Sequence, residues 1–298
     1  MNNVLTLVSA SANGLSPQWV EQIGKALTNL GANTKEPVWL AQSQACDIPF
    51  SNLSIEGAEQ TTRDSLTSTP IDILAQSQQN RKKKLLIADM DSTIIQGETL
   101  DDMAELAGLG PQIANITARA MNGEILFRDA LRERIAMLRG LDATFLDQTA
   151  SKLVLTPGAE TLVKTMVANG AYTALVSGGF RFFTERVAQW VGFDSNKGNE
   201  IEIINNRFSG EIVEPIITKA VKQETLEALC KDQQIEMVET LAVGDGANDL
   251  PMLQTAGLGV AYHAKPIVIA EARARVEHSD LTALLYFQGY KKSEFVSA

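Results

Sequence analysis

Two aspartates separated by a single residue follow directly on a short apolar segment. Leu85-Leu86-Ile87-Ala88 leads into Asp89-Met90-Asp91-Ser92-Thr93. A carboxylate held at the end of a strand can attack phosphorus and form an aspartyl-phosphate, and Asp89 is placed for this role. Asp91 is placed to protonate the leaving oxygen and then to deprotonate the attacking water. A polar turn after a strand would show the same residues, so this motif alone leaves both interpretations open.

Two further loops follow apolar segments and offer complementary chemistry. The loop Ser177-Gly178-Gly179 supplies a hydroxyl and backbone N–H groups before a predicted helix, which is a favourable place for an anion. In the loop 244–249, Asp245 can face a metal ion, while Asn248 and Asp249 can orient its neighbours. The alternatives are an ordinary glycine turn in the first loop and an acidic helix cap in the second.

Carboxylates beside a phosphate dianion would repel it, so the chemistry requires a cation. Mg²⁺ takes oxygen ligands and is commonly held by one or two carboxylates together with substrate phosphate. Asp89 and Asp245 are the natural pair, and the backbone carbonyl of Asp91 is a further candidate. Lys222 or Lys219 can complete the phosphate site, although each alone would also fit a solvated helix face.

The elements that must position these loops alternate along the chain. Apolar periodicity predicts strands at 85–88, 172–176, 240–243 and 258–261, and helices at 159–168, 180–190, 219–230 and 250–256. This alternation predicts a parallel sheet covered on both faces, with its ligand site at the carboxyl ends of the strands. Residues 99–153 show helical periodicity and predict a small insertion that covers this site as a lid. Residues 200–217 predict an accessory hairpin, with turn signals at Asn205-Asn206 and Ser209-Gly210.

Residues 1–80 show no catalytic pattern. Their predicted order, β-α-β-β-α-β with strands at 4–8, 38–46 and 71–74 and helices at 17–30 and 56–66, resembles the α+β regulatory module called ACT. The polar stretch 75–80 predicts a linker. The basic run Arg81-Lys82-Lys83-Lys84 predicts a solvated strand entrance rather than a nucleic-acid patch. We therefore predict a regulatory or docking domain over 1–80 and a catalytic domain over 81–298.

Composition limits the partners. The 298 residues are 45% apolar and 21% charged, as in globular proteins with a sizeable core, and the net charge of -10 opposes binding to nucleic acid or anionic membrane. We expect no membrane span and no signal peptide at the start of the sequence. The two cysteines, Cys46 and Cys230, form no metal-spaced pair. A cytoplasmic protein without nucleic-acid or membrane partners is the prediction.

Taken together, the motifs resemble the haloacid dehalogenase superfamily, and most closely its phosphoserine phosphatases. The resemblance spans residue 82 to the C-terminus and rests on Asp89-Met90-Asp91-Ser92-Thr93, Val176-Ser177-Gly178-Gly179-Phe180, Lys222 and Val243-Gly244-Asp245-Gly246-Ala247-Asn248-Asp249. It implies an α/β, Rossmann-like core with a helical cap. It also implies that Asp89 is the nucleophile, Asp91 the general acid and base, and Ser177, Gly178 and Lys222 the phosphate ligands. The implied Mg²⁺ ligands are Asp89, Asp91 and Asp245, with Asp249 behind them, and Asn248 nearby is implied to bind the substrate.

The resemblance extends into the predicted lid. Glu98 matches the residue that receives the substrate amine, Phe127 a lid aromatic, and Arg134 the arginine that binds the substrate carboxylate. The chemistry is consistent, because a zwitterionic amino acid requires both an anion and a guanidinium group. A helix-capping Glu98, a core Phe127 and a solvent-facing Arg134 are the alternatives. Met90 departs from the family pattern, which often has an aromatic residue between the two aspartates.

The resemblance therefore implies hydrolysis of O-phospho-L-serine, the last step of serine biosynthesis. Its partner is then a small-molecule substrate, and a homodimer is left open. One alternative is a phosphotransferase that passes the phosphoryl group to another acceptor, such as homoserine. The other is a non-catalytic amino-acid sensor, which would have no need of the set Asp89, Asp91, Lys222 and Asp245.

Overall fold

The chain forms two sheets, each covered by helices, in a computed structural model that describes residues 1–66, 69–121 and 124–297. The strands are β1 (Asn3–Ser9), β2 (Asn33–Thr34), β3 (Val38–Ala41), β4 (Ala45–Ser51), β5 (Ile71–Ser77), β6 (Leu85–Ala88), β7 (Tyr172–Phe180), β8 (Ser195–Ile204), β9 (Arg207–Val213), β10 (Thr240–Gly244), β11 (Leu258–Tyr262) and β12 (Ala274–Val276). The helices are α1 (Pro17–Asn29), α2 (Ile55–Ser65), α3 (Thr99–Leu106), α4 (Gly110–Met121), α5 (Phe127–Ala136), α6 (Thr144–Ala150), α7 (Ala159–Ala168), α8 (Arg181–Val191), α9 (Lys219–Asp232), α10 (Leu250–Thr255), α11 (Pro266–Glu271) and α12 (Ala283–Phe287).

The first sheet is antiparallel, with β1 between β4 and β5. Because side chains alternate along a strand, Leu5 and Leu7 of β1 join the core beneath α1 and α2, while Val8 joins the core of the second unit. Two boundaries differ from the sequence prediction. The strand predicted over 38–46 is two strands joined by a tight turn, and β5 continues to Ser77, so the predicted linker begins too early. The likeness to ACT stays a prediction.

The second sheet has the order β12-β11-β10-β6-β7-β8-β9 and is parallel except for β9. Its central strand, β6, is buried at every residue, as expected for a parallel strand covered on both faces. This confirms the predicted Rossmann-like α/β fold and places the carboxyl ends of β6, β7 and β10 side by side. Among the described residues, no helix is long and apolar enough to cross a bilayer.

Four helices, α3 to α6, form the predicted insertion, of which residues 122–123 lie outside the described part. The chain leaves and re-enters the core at one point, where Ile95 pairs with Leu155. On either side, Gln96 N donates to Val154 O at 2.9 Å and Thr156 N to Ile94 O at 2.9 Å. These contacts fix the two ends of the insertion to each other, and the first end follows Asp89 closely in sequence.

The predicted hairpin is also present, as β8 and β9 joined by Asn205-Asn206, and both of these residues have positive φ angles. The predicted turn at Ser209-Gly210 is wrong. Gly210 lies within β9 at φ +85°, where a Cβ atom would lie 2.8 Å from Arg139 Nε. Glycine is required here because Arg139, three residues after α5, and Ala136 at the end of α5 pack closely on the hairpin, so the hairpin supports the lid.

The prediction that the basic run at 81–84 is solvated is correct for two of its four residues. Lys82 and Lys84 are exposed, but Arg81 is largely buried and donates to Asp47 at 2.6 and 2.8 Å. Arg81 also donates to the carbonyl oxygen of Phe287 at 2.8 Å, and Lys83 Nζ to that of Val238 at 2.8 Å. A guanidinium group with a two-pronged carboxylate partner is a strong charge-assisted contact. Arg81 therefore joins the first sheet to the second unit, and the prediction of a solvated strand entrance is wrong for Arg81 and Lys83.

Candidate active site

Asp89 lies at the point where the central strand ends. Its backbone N–H donates to Val243 O at 3.0 Å, which continues the ladder between β6 and β10 by one residue, and its side chain is buried. The chain then turns sharply at Ser92, where φ is +55°, and Ser92 N donates to Gly97 O at 2.9 Å. The sheet therefore holds Asp89 rigidly, while the turn leads the chain into the lid.

Lys222 is fully buried between two carboxylates. Its Nζ atom lies 2.6 Å from Asp89 Oδ1 and 2.6 Å from Asp249 Oδ1. Burial lowers the pKa of Lys222, but the two negative charges more than offset it and hold the pKa above its ordinary value. Burial, and then the charge of Asp249, raise the pKa of Asp89 despite Lys222. Lys222 thus stays charged beside the candidate nucleophile, whereas the other candidate lysine, Lys219, is exposed.

Three buried carboxylates form a candidate metal centre. One oxygen from each of Asp89, Asp245 and Asp249 lies within 4.8 Å of the others. Burial and the neighbouring Asp249 raise the pKa of Asp245 to about 6. The buried ammonium group of Lys222, together with the charge of Lys265 that acts on Asp245, does not balance three carboxylates, so the donor set fits a divalent cation with oxygen ligands. The close approach requires Gly244, because a Cβ atom there would lie 2.5 Å from the Asp249 carboxyl carbon.

The Asp91 carboxyl group is held apart from this cluster. Its Oδ1 accepts from Thr99 N at 2.8 Å, and its Oδ2 accepts from Ser177 Oγ at 3.0 Å. Burial raises the pKa of Asp91, while the bonds from Thr99 and Ser177 act in the opposite direction. The two aspartates therefore have different environments. Asp89 contacts a cation, whereas Asp91 is held by neutral donors from the lid and from the 177–179 loop.

The loop at 177–179 fits closely around Asp91. Gly179 N donates to Ser177 Oγ at 2.8 Å, and a Cβ atom on Gly179 would lie 2.8 Å from Asp91 Oδ2. A Cβ atom on Gly178 would lie 3.5 Å from the ring of Phe127, the first residue of α5. The lid aromatic therefore covers the loop that is predicted to bind phosphate.

Glu98 and Arg134 lie near each other at the lid. Glu98 accepts from Ser92 Oγ at 2.9 Å, and although the residue is exposed, desolvation of its carboxyl group and the charge of Asp91 raise its pKa to about 7. Burial lowers the pKa of Arg134, and the charges of Asp101 and Glu98 oppose this effect. The buried Arg134 Nε has no hydrogen-bond partner within the described ranges. An N–H group of this kind is one that a ligand carboxylate can satisfy.

The last predicted residue, Asn248, is half-buried in the loop with Asp245. Asp249, predicted to lie behind the metal ligands, both joins the carboxylate cluster and accepts from Gly246 N at 3.1 Å. The structure thus gathers Asp89, Asp245, Asp249 and Lys222 into one cluster and places Asp91, Ser177, Gly178 and Phe127 beside one another. The roles of these residues stay predictions.

Comparison with known proteins agrees with this arrangement. The family model for haloacid dehalogenase-like hydrolases matches residues 86–254. Phosphoserine phosphatase from Saccharomyces cerevisiae is 33% identical over 306 residues, which cover 98% of this chain and 97% of that protein. This chain belongs to the phosphoserine phosphatase family of those hydrolases.

Two further relatives extend the comparison. Phosphoserine phosphatase from Streptomyces coelicolor is 33% identical over 297 residues, covering 98% of this chain and 72% of that protein. A solved phospho-aspartyl intermediate analogue of phosphoserine phosphatase shares 34% identity at a TM-score of 0.65, covering 69% of this chain and 99% of that one. Likeness to the first relative therefore extends over almost the whole of this chain, whereas the solved structure matches about two thirds of it.

Sequence reasoning missed one residue of this phosphoserine phosphatase family site. Asn199 of β8 is fully buried, and its amide bridges Gly178 O and Ile217 N at 2.7 Å each. The sequence offers only a weak signal, a polar residue beside Gly198 in a strand. No spacing rule links it to the 177–179 loop, because the contact joins two neighbouring strands, β7 and β8, that are separated in sequence by helix α8.

Replacement of Lys222 by Met is expected to destabilise the protein. The change leaves two buried carboxylates without their cation, and breaking a buried ion pair in this way costs about 3–5 kcal/mol. Urea unfolding in metal-free buffer measures the effect. Lys219→Met, three residues earlier on the same helix but exposed, is the matched control and should change the midpoint little. Equal stability of the two variants would contradict the buried pairing.

Proposed function

We propose that this chain hydrolyses O-phospho-L-serine to L-serine and inorganic phosphate, the last step of serine biosynthesis, through an aspartyl-phosphate on Asp89. The observation that carries the proposal is the separation of two buried aspartates into different environments. Asp89 contacts Lys222 at 2.6 Å, while Asp91 accepts from Ser177 at 3.0 Å. Two carboxyl groups in different environments are able to take a nucleophilic and an acidic role at one site.

In the first half-reaction, an Asp89 carboxylate oxygen attacks phosphorus, and the bond from phosphorus to the serine oxygen breaks. Protonated Asp91 gives its proton to that oxygen, so that serine leaves as a neutral alcohol. The buried Lys222 and the backbone N–H group of Gly178 would offset the charge on the phosphoryl oxygens. Burial favours the protonated form of Asp91 that this step requires.

In the second half-reaction, water attacks the aspartyl-phosphate. Asp91, now ionised, takes a proton from this water, and the bond between phosphorus and Asp89 breaks. Phosphate leaves, and the cycle returns Asp89 as a carboxylate and Asp91 as an acid. A related phosphoserine phosphatase has been solved as a phospho-aspartyl intermediate analogue, which supports the same intermediate here.

Selection of the amino acid is proposed to lie in the lid. Arg134 offers a buried N–H group without a partner in the described residues, and Glu98 lies close enough for its charge to be felt there. We infer that the two bind the carboxylate and the amine of the substrate. Phe127, lying over Gly178, would exclude water from the phosphoryl group once the lid has closed.

A direct test compares three phosphomonoesters. Phosphoserine should have the highest kcat/KM. Phosphoethanolamine lacks the carboxylate and 3-phosphoglycerate lacks the amine, so each should lose at least about 10-fold, which corresponds to about 1.4 kcal/mol. Released phosphate is measured beside any phosphorylated homoserine, since transfer to that acceptor would indicate a phosphotransferase. Equal kcat/KM values for the three esters would contradict the substrate assignment.

The cation is proposed to be Mg²⁺, held by Asp89 and Asp245 with the Asp91 carbonyl, and the geometry adds Asp249 to the candidates. When bound, the ion would neutralise phosphoryl charge and help to orient the group. Excess chelator should reduce turnover to background, and Mg²⁺ should restore it. Ca²⁺ should restore little, because its larger and looser coordination shell disfavours in-line geometry. Full turnover in excess chelator would count against the metal centre.

The division of the chain at residues 80 and 81, the regulatory use of the first unit, the cytoplasmic location and the homodimer stay predictions. Nothing in the described contacts assigns a ligand to the N-terminal sheet. What supports a close connection between the units is Arg81, which contacts Asp47 on one side and Phe287 on the other.

A further inference from the structure

The loop at 177–179 is an interruption in a strand pair. Strands β7 and β8 pair at Val176 with Lys197 and again at Phe180 with Asn199, so four residue steps on β7 oppose two on β8. The extra residues on β7 shift the register in the manner of a β-bulge, and a bulge leaves backbone groups without ladder partners. Groups of this kind, when buried, need another partner.

Asn199 supplies that partner. Its Nδ2 donates to Gly178 O at 2.7 Å, and its Oδ1 accepts from Ile217 N at 2.7 Å. The orientation of the amide follows from its partners, since a carbonyl oxygen can only accept and an N–H group can only donate. Asn199 is 1% exposed, so water does not compete for these bonds.

The bond to Gly178 fixes a whole peptide group. Its carbonyl end accepts from Asn199, and its amide end, the N–H of Gly179, donates to Ser177 Oγ at 2.8 Å. A serine hydroxyl has one hydrogen, and this hydrogen is then directed to Asp91 Oδ2 at 3.0 Å. Bonds in such a chain also polarise one another.

Asn199 is also connected to the lid, through its bond with Ile217. Ile217 follows Glu214 by three residues, and Glu214 pairs with Arg132 of α5 and accepts from Ile216 N at 3.0 Å. A short stretch of backbone therefore separates a lid contact from the Asn199 amide. The hydrogen-bond chain runs from this stretch to the carboxyl group of Asp91.

We propose that Asn199 is a positioning residue for Asp91, acting through the Gly178–Gly179 peptide and the Ser177 hydroxyl. It sets the direction of the Ser177 O–H bond and so fixes one oxygen of the acid, which leaves Asp91 in one orientation towards the leaving group. This inference rests on the acid role of Asp91 under the proposed function. It adds a residue that does not touch the substrate.

The test uses leaving groups that differ in their need for an acid. A serine alkoxide requires protonation as it leaves, whereas p-nitrophenolate does not. Asn199→Leu keeps a similar side-chain volume without adding a charge and removes both amide hydrogen bonds, the one to Gly178 O and the one from Ile217 N. We expect kcat/KM for phosphoserine to fall by about 10- to 100-fold, within the usual range for general acid catalysis, and that for p-nitrophenyl phosphate by less than about 3-fold.

Asn196→Leu is the matched control. Asn196 lies on the same strand but is exposed and accepts from Thr184 Oγ1 at 2.9 Å, so both substrates should be unaffected. Asn199→Ser, which leaves room for water to serve both backbone groups, is the second variant if the first does not fold. Circular dichroism checks the folded state of each variant.

Each outcome either supports or overturns the proposal that Asn199 positions Asp91. A selective loss with phosphoserine supports the proposal, whereas equal losses with both substrates, or none, overturn it. Failure of both Asn199 variants to fold would make the residue structural, which also overturns it. If the wild-type protein hydrolyses simple alkyl phosphates with the same kcat/KM as phosphoserine, the substrate assignment alone is contradicted. The ratio of kcat/KM for an alkyl phosphate to that for an aryl phosphate would still test the role of Asn199.

Discussion

Asp89→Asn is expected to lose turnover by on the order of 10⁴-fold or more while keeping its fold, a scale that removal of a covalent nucleophile reaches in other enzymes. An amide oxygen does not attack phosphorus at a useful rate, and the remaining site can only bind the substrate. Released phosphate is the measurement, with mass spectrometry to exclude deamidation back to aspartate. Beryllium fluoride should label Asp89 in the wild-type protein. It should not label the residue at this position in the variant.

A measurement of stability shows whether the loss of turnover in Asp89→Asn comes from the missing nucleophile or from unfolding. Asp89, Asp245 and Asp249 crowd three carboxylates around Lys222, and removal of one charge relieves repulsion while Asp249 keeps its 2.6 Å contact with the lysine. The urea midpoint of Asp89→Asn in metal-free buffer should therefore equal or exceed that of the wild-type protein.

Asp249→Asn is the matched control for the loss of a cluster charge. It removes a carboxylate from the same cluster but keeps the nucleophile, so part of its activity should return at high Mg²⁺ concentration. Appreciable turnover by Asp89→Asn, with deamidation excluded, would contradict the covalent mechanism.

Local patterns were sufficient to predict the frame of the site. Strand β6 and helix α7 have the predicted bounds, because each is a short apolar pattern with clear punctuation at its ends. Once the alternation of strands and helices predicts a parallel sheet, the segments 89–93, 177–179 and 244–249 must share one edge. The meeting of Asp89 and Asp245 follows from this topology and needs no knowledge of side-chain packing. The predicted end of the second strand at 176 is wrong, because β7 continues to Phe180 and contains Ser177, Gly178 and Gly179.

Contacts between distant segments were not predictable in the same way. Arg81 looks like one member of a basic run, and only the folded protein shows Asp47 and the carbonyl oxygen of Phe287 around it. Gly210 looks like a turn residue, and its glycine is explained by the approach of Arg139. Asn199 is a similar case, since its partners come from two other segments. In each, the residue type answers a neighbour that is far away in sequence.

The choice between Lys222 and Lys219 could be predicted only in part from the sequence. Both begin the same helix, and helical geometry places residues three apart on nearly the same face. The difference is one of depth, since Lys222 enters the carboxylate cluster and Lys219 stays at the surface. Sequence alone fixes the face but not the depth, and the family motif was needed to favour Lys222.

Arg134→Ala is expected to change the choice of substrate more than the chemistry. If Arg134 holds the substrate carboxylate, its removal leaves that charge unpaired in a closed site, which typically costs about 2–5 kcal/mol. The kcat/KM for phosphoserine should then fall by roughly 30-fold to several-thousand-fold. Activity on a small aryl phosphate, which has no carboxylate, should change far less. Part of the loss should appear in kcat, because binding energy remote from phosphorus also drives closure of the lid.

Arg119→Ala is the matched control for Arg134→Ala. Arg119 lies in the same lid and pairs with Glu133 at 2.9 Å on the exposed surface, so its removal should leave the ratio of the two substrates unchanged. Glu98→Gln should shift the ratio in the same direction as Arg134→Ala but less, since glutamine still accepts a hydrogen bond from the amine. The deciding quantity is the ratio of the two kcat/KM values in each variant and in the wild-type protein. An unchanged ratio in Arg134→Ala would leave the aspartyl-phosphate chemistry standing but would make the helices at 99–150 a general lid. The buried Nε atom of Arg134 would then no longer support phosphoserine as the substrate.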